Sequence, residues 1–241
     1  MSKNLRHKLT NIFDVTGKLI RYNLKIVFAN KFIYFLIAAF AFFVLVTVIN
    51  LFSDSDLTEG SVYSLLLFPG ILIIFYPTTF GIQNDKDARM LEIIFGIPNY
   101  RYKVWLVRFV LIYLIVFLIL MTLGYLSSFS LIQIEVFDTA FQLMYPIFFL
   151  GSLSFMFSTL IKNGNGTAVV MIVIGMTLWI LSDIIPHSEW NIFLNPFDIP
   201  SDMNETIWEE ISVNNRLYLL AGIILSILYG LYNLQERERF L

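Results

Sequence analysis

The side chains in this sequence able to act as nucleophiles are hydroxyls, and Ser127, Ser128, Ser152 and Ser154 lie within long apolar stretches. A serine attacks only when a neighbouring base takes its proton, and no His or Lys is spaced to do so. These hydroxyls therefore read as packing groups. Cysteine is absent, which leaves no thiolate chemistry, and the two histidines, His7 and His187, are expected on opposite sides of a membrane, which leaves no histidine metal site within one chain. A nucleotide-hydrolysing phosphate loop needs Gly-Lys followed by Ser or Thr, and the sole Gly-Lys, Gly17-Lys18, is followed by Leu19. The chain is thus expected to be no enzyme and to hold no cofactor, metal or nucleic acid. Work against a gradient would need another subunit to supply the energy.

Composition explains where such chemistry would have to sit. Hydrophobic residues make up 58% of the 241 and charged residues 14%, whereas a soluble domain is about half apolar and about a quarter charged. The charges fall in blocks, and between them lie apolar runs close to the roughly 20 residues that a helix needs to cross a ~30 Å hydrocarbon core. Six spans are read, at 32–51, 61–81, 109–128, 140–161, 167–182 and 217–234, and none contains Asp, Glu, Lys, Arg or His. Intramembrane proton relays, ion pathways and carboxylate pairs are therefore not expected, because they require ionisable groups at mid-depth.

The connecting segments carry opposite charge on alternate sides. Fifteen of the sixteen Lys and Arg fall in one set: the arm 1–30 with Lys31, the loop after span two through Arg108, Lys162, and the end of the chain at Arg237 and Arg239. The other set holds Arg216 and twelve of the eighteen acids. Cations accumulate on the cytoplasmic side of short loops, so both termini are expected in the cytoplasm of a multi-pass cell-membrane protein, with a bacterial cytoplasmic membrane the natural setting. The expected fold is all-α and integral to the membrane, with residues 1–241 forming a single transmembrane domain.

Three segments outside the spans have a pattern of their own. In the arm 1–30, Leu5, Leu9, Ile12, Phe13, Ile20, Leu24 and Val27 recur near a helical period among cations, as in a helix lying in the lipid interface. In the cytoplasmic loop 84–103, Asp85 and Asp87 followed by Leu91, Ile94 and Phe95 describe a short helix with acids at its start, stopped by Gly96 and Pro98. The outer segment 186–216 carries Trp190, Phe193, Phe197, Ile207, Trp208 and Ile211 among acids and prolines. It is too apolar for a free loop, and Thr206 with Glu209 reads as the capping box of a short helix before span six.

The loop after span two resembles that of the membrane-spanning subunit of type-2 ATP-binding-cassette exporters, the ABC-2 type permease family. There an acidic cluster precedes Gly-Thr-x-Glu, then Pro, Arg and a Lys at the start of span three. Glu92, Pro98, Arg101 and Arg108 stand at those spacings, with Arg108 in place of Lys, while Arg89 and Met90 occupy the Gly-Thr positions. The basic arm, six spans, Asn195-Pro196-Phe197 before span six and the final Arg239-Phe240 extend the resemblance over the whole chain.

The resemblance implies a second permease subunit, identical or related, and a cytoplasmic ATPase that alone carries ATP and Mg. The loop helix would couple the two, with Asp85, Asp87, Arg89, Glu92, Pro98 and Arg101 as its contact residues. It further implies a path along spans two and five, where Pro69, Gly70 and Pro77 free backbone groups and permit a hinge. A path without charges suits an amphipathic or lipid-like cargo: a hydrophobic peptide, a lipid, a lipid-linked glycan or a drug. Two other readings stay open, a subunit that transmits ATPase work to a periplasmic or membrane partner without passing cargo, and a membrane scaffold with no ATPase.

Overall fold

A computed structural model describes residues 31–53, 57–87, 89 and 101–235, with the backbone alone for 101–103. The interfacial arm 1–30, the body of the loop helix including Glu92 and Pro98, and the end of the chain at Arg239-Phe240 lie outside the described residues. Six α-helices follow one another: α1 (Phe32–Leu51), α2 (Glu59–Asp87), α3 (Val107–Ser130), α4 (Val136–Ile161), α5 (Gly164–Ile184) and α6 (Glu205–Asn233). A π-helical turn, Arg101–Leu106, leads directly into α3. All six are long and apolar enough to cross a membrane, and no strand occurs among the described residues.

The centre of the bundle is the contact between α2 and α4. Gly70 of α2 lies under Ile147 of α4, and one turn on, Gly151 of α4 lies under Ile74 of α2, so each helix offers a notch to the other's isoleucine. Lipid gives apolar side chains no reason to prefer protein, so helices in a bilayer associate through such close backbone approach and through interhelical hydrogen bonds. Both operate here. Thr79 and Ser154 share a hydrogen bond of 2.7 Å, and Ser158 Oγ donates to the Thr79 carbonyl at 3.1 Å. The serines read as packing groups thus include one that ties α2 to α4, whereas Ser127 is buried without a hydrogen-bond partner. On the other face of α4, Phe149 and Phe155 cover Gly222 and Gly230 of α6.

α2 runs through Pro69 and Pro77 as one helix. Each proline leaves the carbonyl four residues earlier without its usual donor, and next to Pro77 the Thr78 hydroxyl turns back to the Ile74 carbonyl at 2.7 Å. At about 1.5 Å per residue, the 29 residues of α2 span more than the hydrocarbon core.

Two boundaries differ from the sequence reading. Asp85 and Asp87 do not begin a separate helix; they form the last turn of α2. A carboxylate there opposes the helix dipole, and Asp85 is tolerated because a cation from α3 reaches it. Residues 205–216 do not form a short helix before span six either. They are the first turns of α6, capped at Asn204 rather than Thr206, because neither Gly nor Pro interrupts the chain before Gly222. Residues 185–204 make turns, not helices.

Just past the end of α2, Arg89 stands in a turn with φ of 52°. A side chain in this left-handed region costs about 1–2 kcal/mol that glycine avoids. The position is the one where the resembling family carries glycine. Arg89→Gly is expected to raise the thermal midpoint in detergent, by a stabilisation of about 1 kcal/mol; a lowered midpoint would show that the Arg89 side chain outweighs its backbone strain.

Candidate functional site

At the basic end of the bundle, where Lys86 and Lys162 lie, the two ends of the loop after α2 are joined by a buried ion pair. Arg108 Nη1 of α3 donates to Asp85 Oδ2 of α2, and both residues are at most 4% exposed. The Arg108 guanidinium also lies 4.9 Å from the centre of the Trp105 ring, a cation–π contact strengthened by the burial of both groups. Trp105 packs on Phe155 and Phe109 packs edge-on against the same ring at 4.5 Å, so the pair is walled by aromatics from α3 and α4.

Beside the pair lies a cavity of about 20 Å³ bordered by Pro77, Gly81, Trp105 and Arg108. Asp85 Oδ1, Arg108 Nε and Trp105 Nε1 have no hydrogen-bond partner. The pair thus holds the two ends of the loop together, an arrangement suited to a mechanical link. Of the residues assigned to ATPase contact by resemblance, Asp85 faces inward and pairs with Arg108, Asp87 is exposed at the helix end, and Arg89 lies exposed in a turn just beyond it. Arg101 stands in the π-helical turn, its side chain outside the description.

The second feature is a groove of about 950 Å³ between α1, α2, α4 and α5. Phe35 and Phe42 of α1, Phe68 and Phe75 of α2, and Met176 and Trp179 of α5 are among its walls, with Ser64, Thr78 and Ser154 as isolated hydroxyls. Pro69, Gly70 and Pro77 do not line it. The first two face the interior beneath α4, and Pro77 borders the small cavity beside Arg108. α5 is the least enclosed helix, with 11% of its span inside the protein, and leaves Ile172, Val173, Met176 and Ile180 exposed.

At the acidic end, Arg216 had been expected at the membrane surface but is 7% exposed within α6. Its Nε donates to Gln142 Oε1 of α4 at 3.0 Å and its Nη1 to Asn215 Oδ1 at 2.7 Å. Nη2 reaches the Leu194 carbonyl at 3.3 Å and the Tyr63 hydroxyl at 3.5 Å, and the Tyr145 ring lies 5.4 Å away. All these partners are uncharged. Sequence reading missed this cluster, although Gln142 inside a span and Asn214-Asn215-Arg216 at the edge of one were its signal.

Among the described residues, six apolar helices of spanning length, buried charges only near the two ends and a groove walled by aromatics define an all-α protein of multi-pass membrane type. No family model, curated protein or solved structure matches the chain.

Proposed function

We propose that the chain is the permease subunit of a type-2 ATP-binding-cassette exporter, pairing with a second permease and driven by a separate cytoplasmic ATPase. The observation that carries this reading is the continuity of α2: the helix that walls the groove with Phe68 and Phe75 also carries the first end of the loop, at Asp87. Asp85–Arg108 fastens that end to α3, so a push on the loop moves two helices together. The groove then serves as the path for an amphipathic or lipid-like cargo, whose apolar part its aromatic walls suit. The resemblance in loop spacing gives the reading its family; the groove gives it a cargo class.

Glu92→Ala is expected to cut vanadate-sensitive ATPase activity of the purified complex several-fold while the chain inserts in normal amounts. Full activity in that variant would remove Glu92 from the coupling role. Purification in mild detergent tests the reading as a whole, which requires an ATPase in constant proportion to this chain; a chain that purifies without one is a scaffold. A second reading, transmission of ATPase work to an outer partner, draws on Asp183, Asp198, Asp202, Glu205, Glu209 and Glu210, all exposed at the acidic end. An acidic face of that kind fits a basic docking surface.

A further inference from the structure

The turns of residues 185–204 are held to the bundle by more hydrogen bonds than a connecting loop requires. Asn191 and Asn195 each accept, through Oδ1, the backbone N–H two residues on, from Phe193 at 3.0 Å and Phe197 at 3.1 Å. Two successive Asx turns therefore shape Asn191–Phe197 locally. The helices then grip this segment by its backbone. Asn215 Nδ2 of α6 donates to the Glu189 and Asn191 carbonyls, both at 2.8 Å. The Leu194 carbonyl accepts from Arg216 and, at 3.3 Å, from the Tyr63 hydroxyl of α2, while Asn195 Nδ2 donates to the Gly60 carbonyl at 2.9 Å.

The residue between the two asparagine anchors, Phe193, lies on the groove wall and meets Trp179 of α5 with ring centres 5.9 Å apart. The segment thus sets one aromatic over the acidic end of the groove. Its neighbour Leu194 is fastened to the buried cation.

We propose that residues 185–204 are a lid on the groove, with Phe193 as its plug and Arg216 as the latch that holds it shut. Arg216 suits this role because, among the described residues, no carboxylate holds it. A guanidinium fixed to an acid would make a permanent tie, whereas one held by a carbonyl, an amide and a hydroxyl exchanges its partners at modest cost. Opening would release the Leu194 carbonyl and let the guanidinium shift a short way outward while Tyr63, Gln142 and Asn215 still pair with it. Three helices, α2, α4 and α6, meet at this one side chain, so a shift of α2 driven from the basic end reaches the lid through Tyr63. The inference takes the groove from the functional reading but not the ATPase, and the following test needs neither ATPase nor cargo.

Because the chain has no native cysteine, a single engineered thiol reports on water access. Gly175→Cys places a thiol at the middle of α5 on the groove wall, where an added Cβ meets nothing within 4 Å. Ser201→Cys, exposed within the segment itself, is the control. Membranes are treated from the acidic side with a membrane-impermeant maleimide. Arg216→Gln is expected to speed labelling at position 175 by about tenfold, the ratio equivalent to losing one hydrogen bond to a charged group, and Phe193→Ala, which removes the ring over the groove, is expected to speed it as well. The rate at position 201 should stay as it was. Unchanged labelling at 175 in Phe193→Ala overturns the plug, and unchanged labelling in Arg216→Gln overturns the latch. A matching rise at 201 overturns both, since the segment would then simply have unfolded. If Arg216→Gln does not accumulate, Arg216→Lys and Tyr63→Phe decide the latch by the same rates.

Discussion

Replacing Asp85 with alanine is expected to lower the stability of the protein in detergent by about 3–5 kcal/mol, the usual consequence of leaving one member of a buried ion pair alone. Arg108 would remain at 4% exposure with its charge facing Trp105 and apolar side chains. Arg108→Ala should cost a similar amount, by stranding the carboxylate. The double replacement Asp85→Leu with Arg108→Leu removes both charges and should recover most of the loss, because two leucines fill such a site without any desolvation penalty. Thermal unfolding followed by tryptophan fluorescence reads all three. If Asp85→Ala unfolds where the unaltered protein does, the pair is not the clamp described. On the permease reading the double variant also separates stability from coupling: it should fold and yet lose ATPase stimulation, since α2 and α3 would no longer be fastened across the loop.

The second large effect is expected at the crossing of α2 and α4. Gly70→Val and Gly151→Val each place a branched side chain where an isoleucine of the facing helix already lies. Overpacking of a filled core costs about 1–3 kcal/mol per site, and here the helices must also separate, which stretches the 2.7 Å bond between Thr79 and Ser154. Gly151→Val combined with Ile74→Ala should regain part of the loss, because Ile74 is the side chain displaced. Gly70→Val should gain nothing from Ile74→Ala, since its obstruction is Ile147. Equal rescue of both glycine variants by Ile74→Ala would mean that the contact is not the reciprocal one found here.

How much of this was legible in the sequence depended on what each residue had to do. Span number followed from length and hydropathy alone, and α1 begins and ends where expected, because lipid imposes one requirement on every residue of a span. The ends of α2 and α6 were misplaced for a common reason. Charged and polar residues were taken as marks of a helix end, but Asp85 and Arg216 sit inside helices, their charges met by residues distant in sequence. Arg108 lies 23 positions from Asp85, and Gln142 lies 74 from Arg216. No local pattern encodes such pairings. The turns at Asn191 and Asn195 are the opposite case, since Asn-x-Phe repeated four residues apart carries its own turn chemistry. The hinge assignment at Pro69 and Pro77 was legible only as lost backbone donors, whereas the placement of Pro77 beside Arg108 needed the packing of α3.

Arg216 also brings a physical variable that packing does not. In the orientation favoured by the loop charges it lies toward the outside, and a membrane potential negative inside pulls a lone positive charge inward, toward its buried site. Each 100 mV bears on a unit charge by up to about 2.3 kcal/mol if the whole field is crossed, and by a proportionate share for a shorter excursion. An energised cell would therefore favour the seated position of this guanidinium, and a depolarised one would release part of that bias. On the lid reading and in that orientation, the single cation on the acidic side would tie the state of the lid to the electrical state of the membrane.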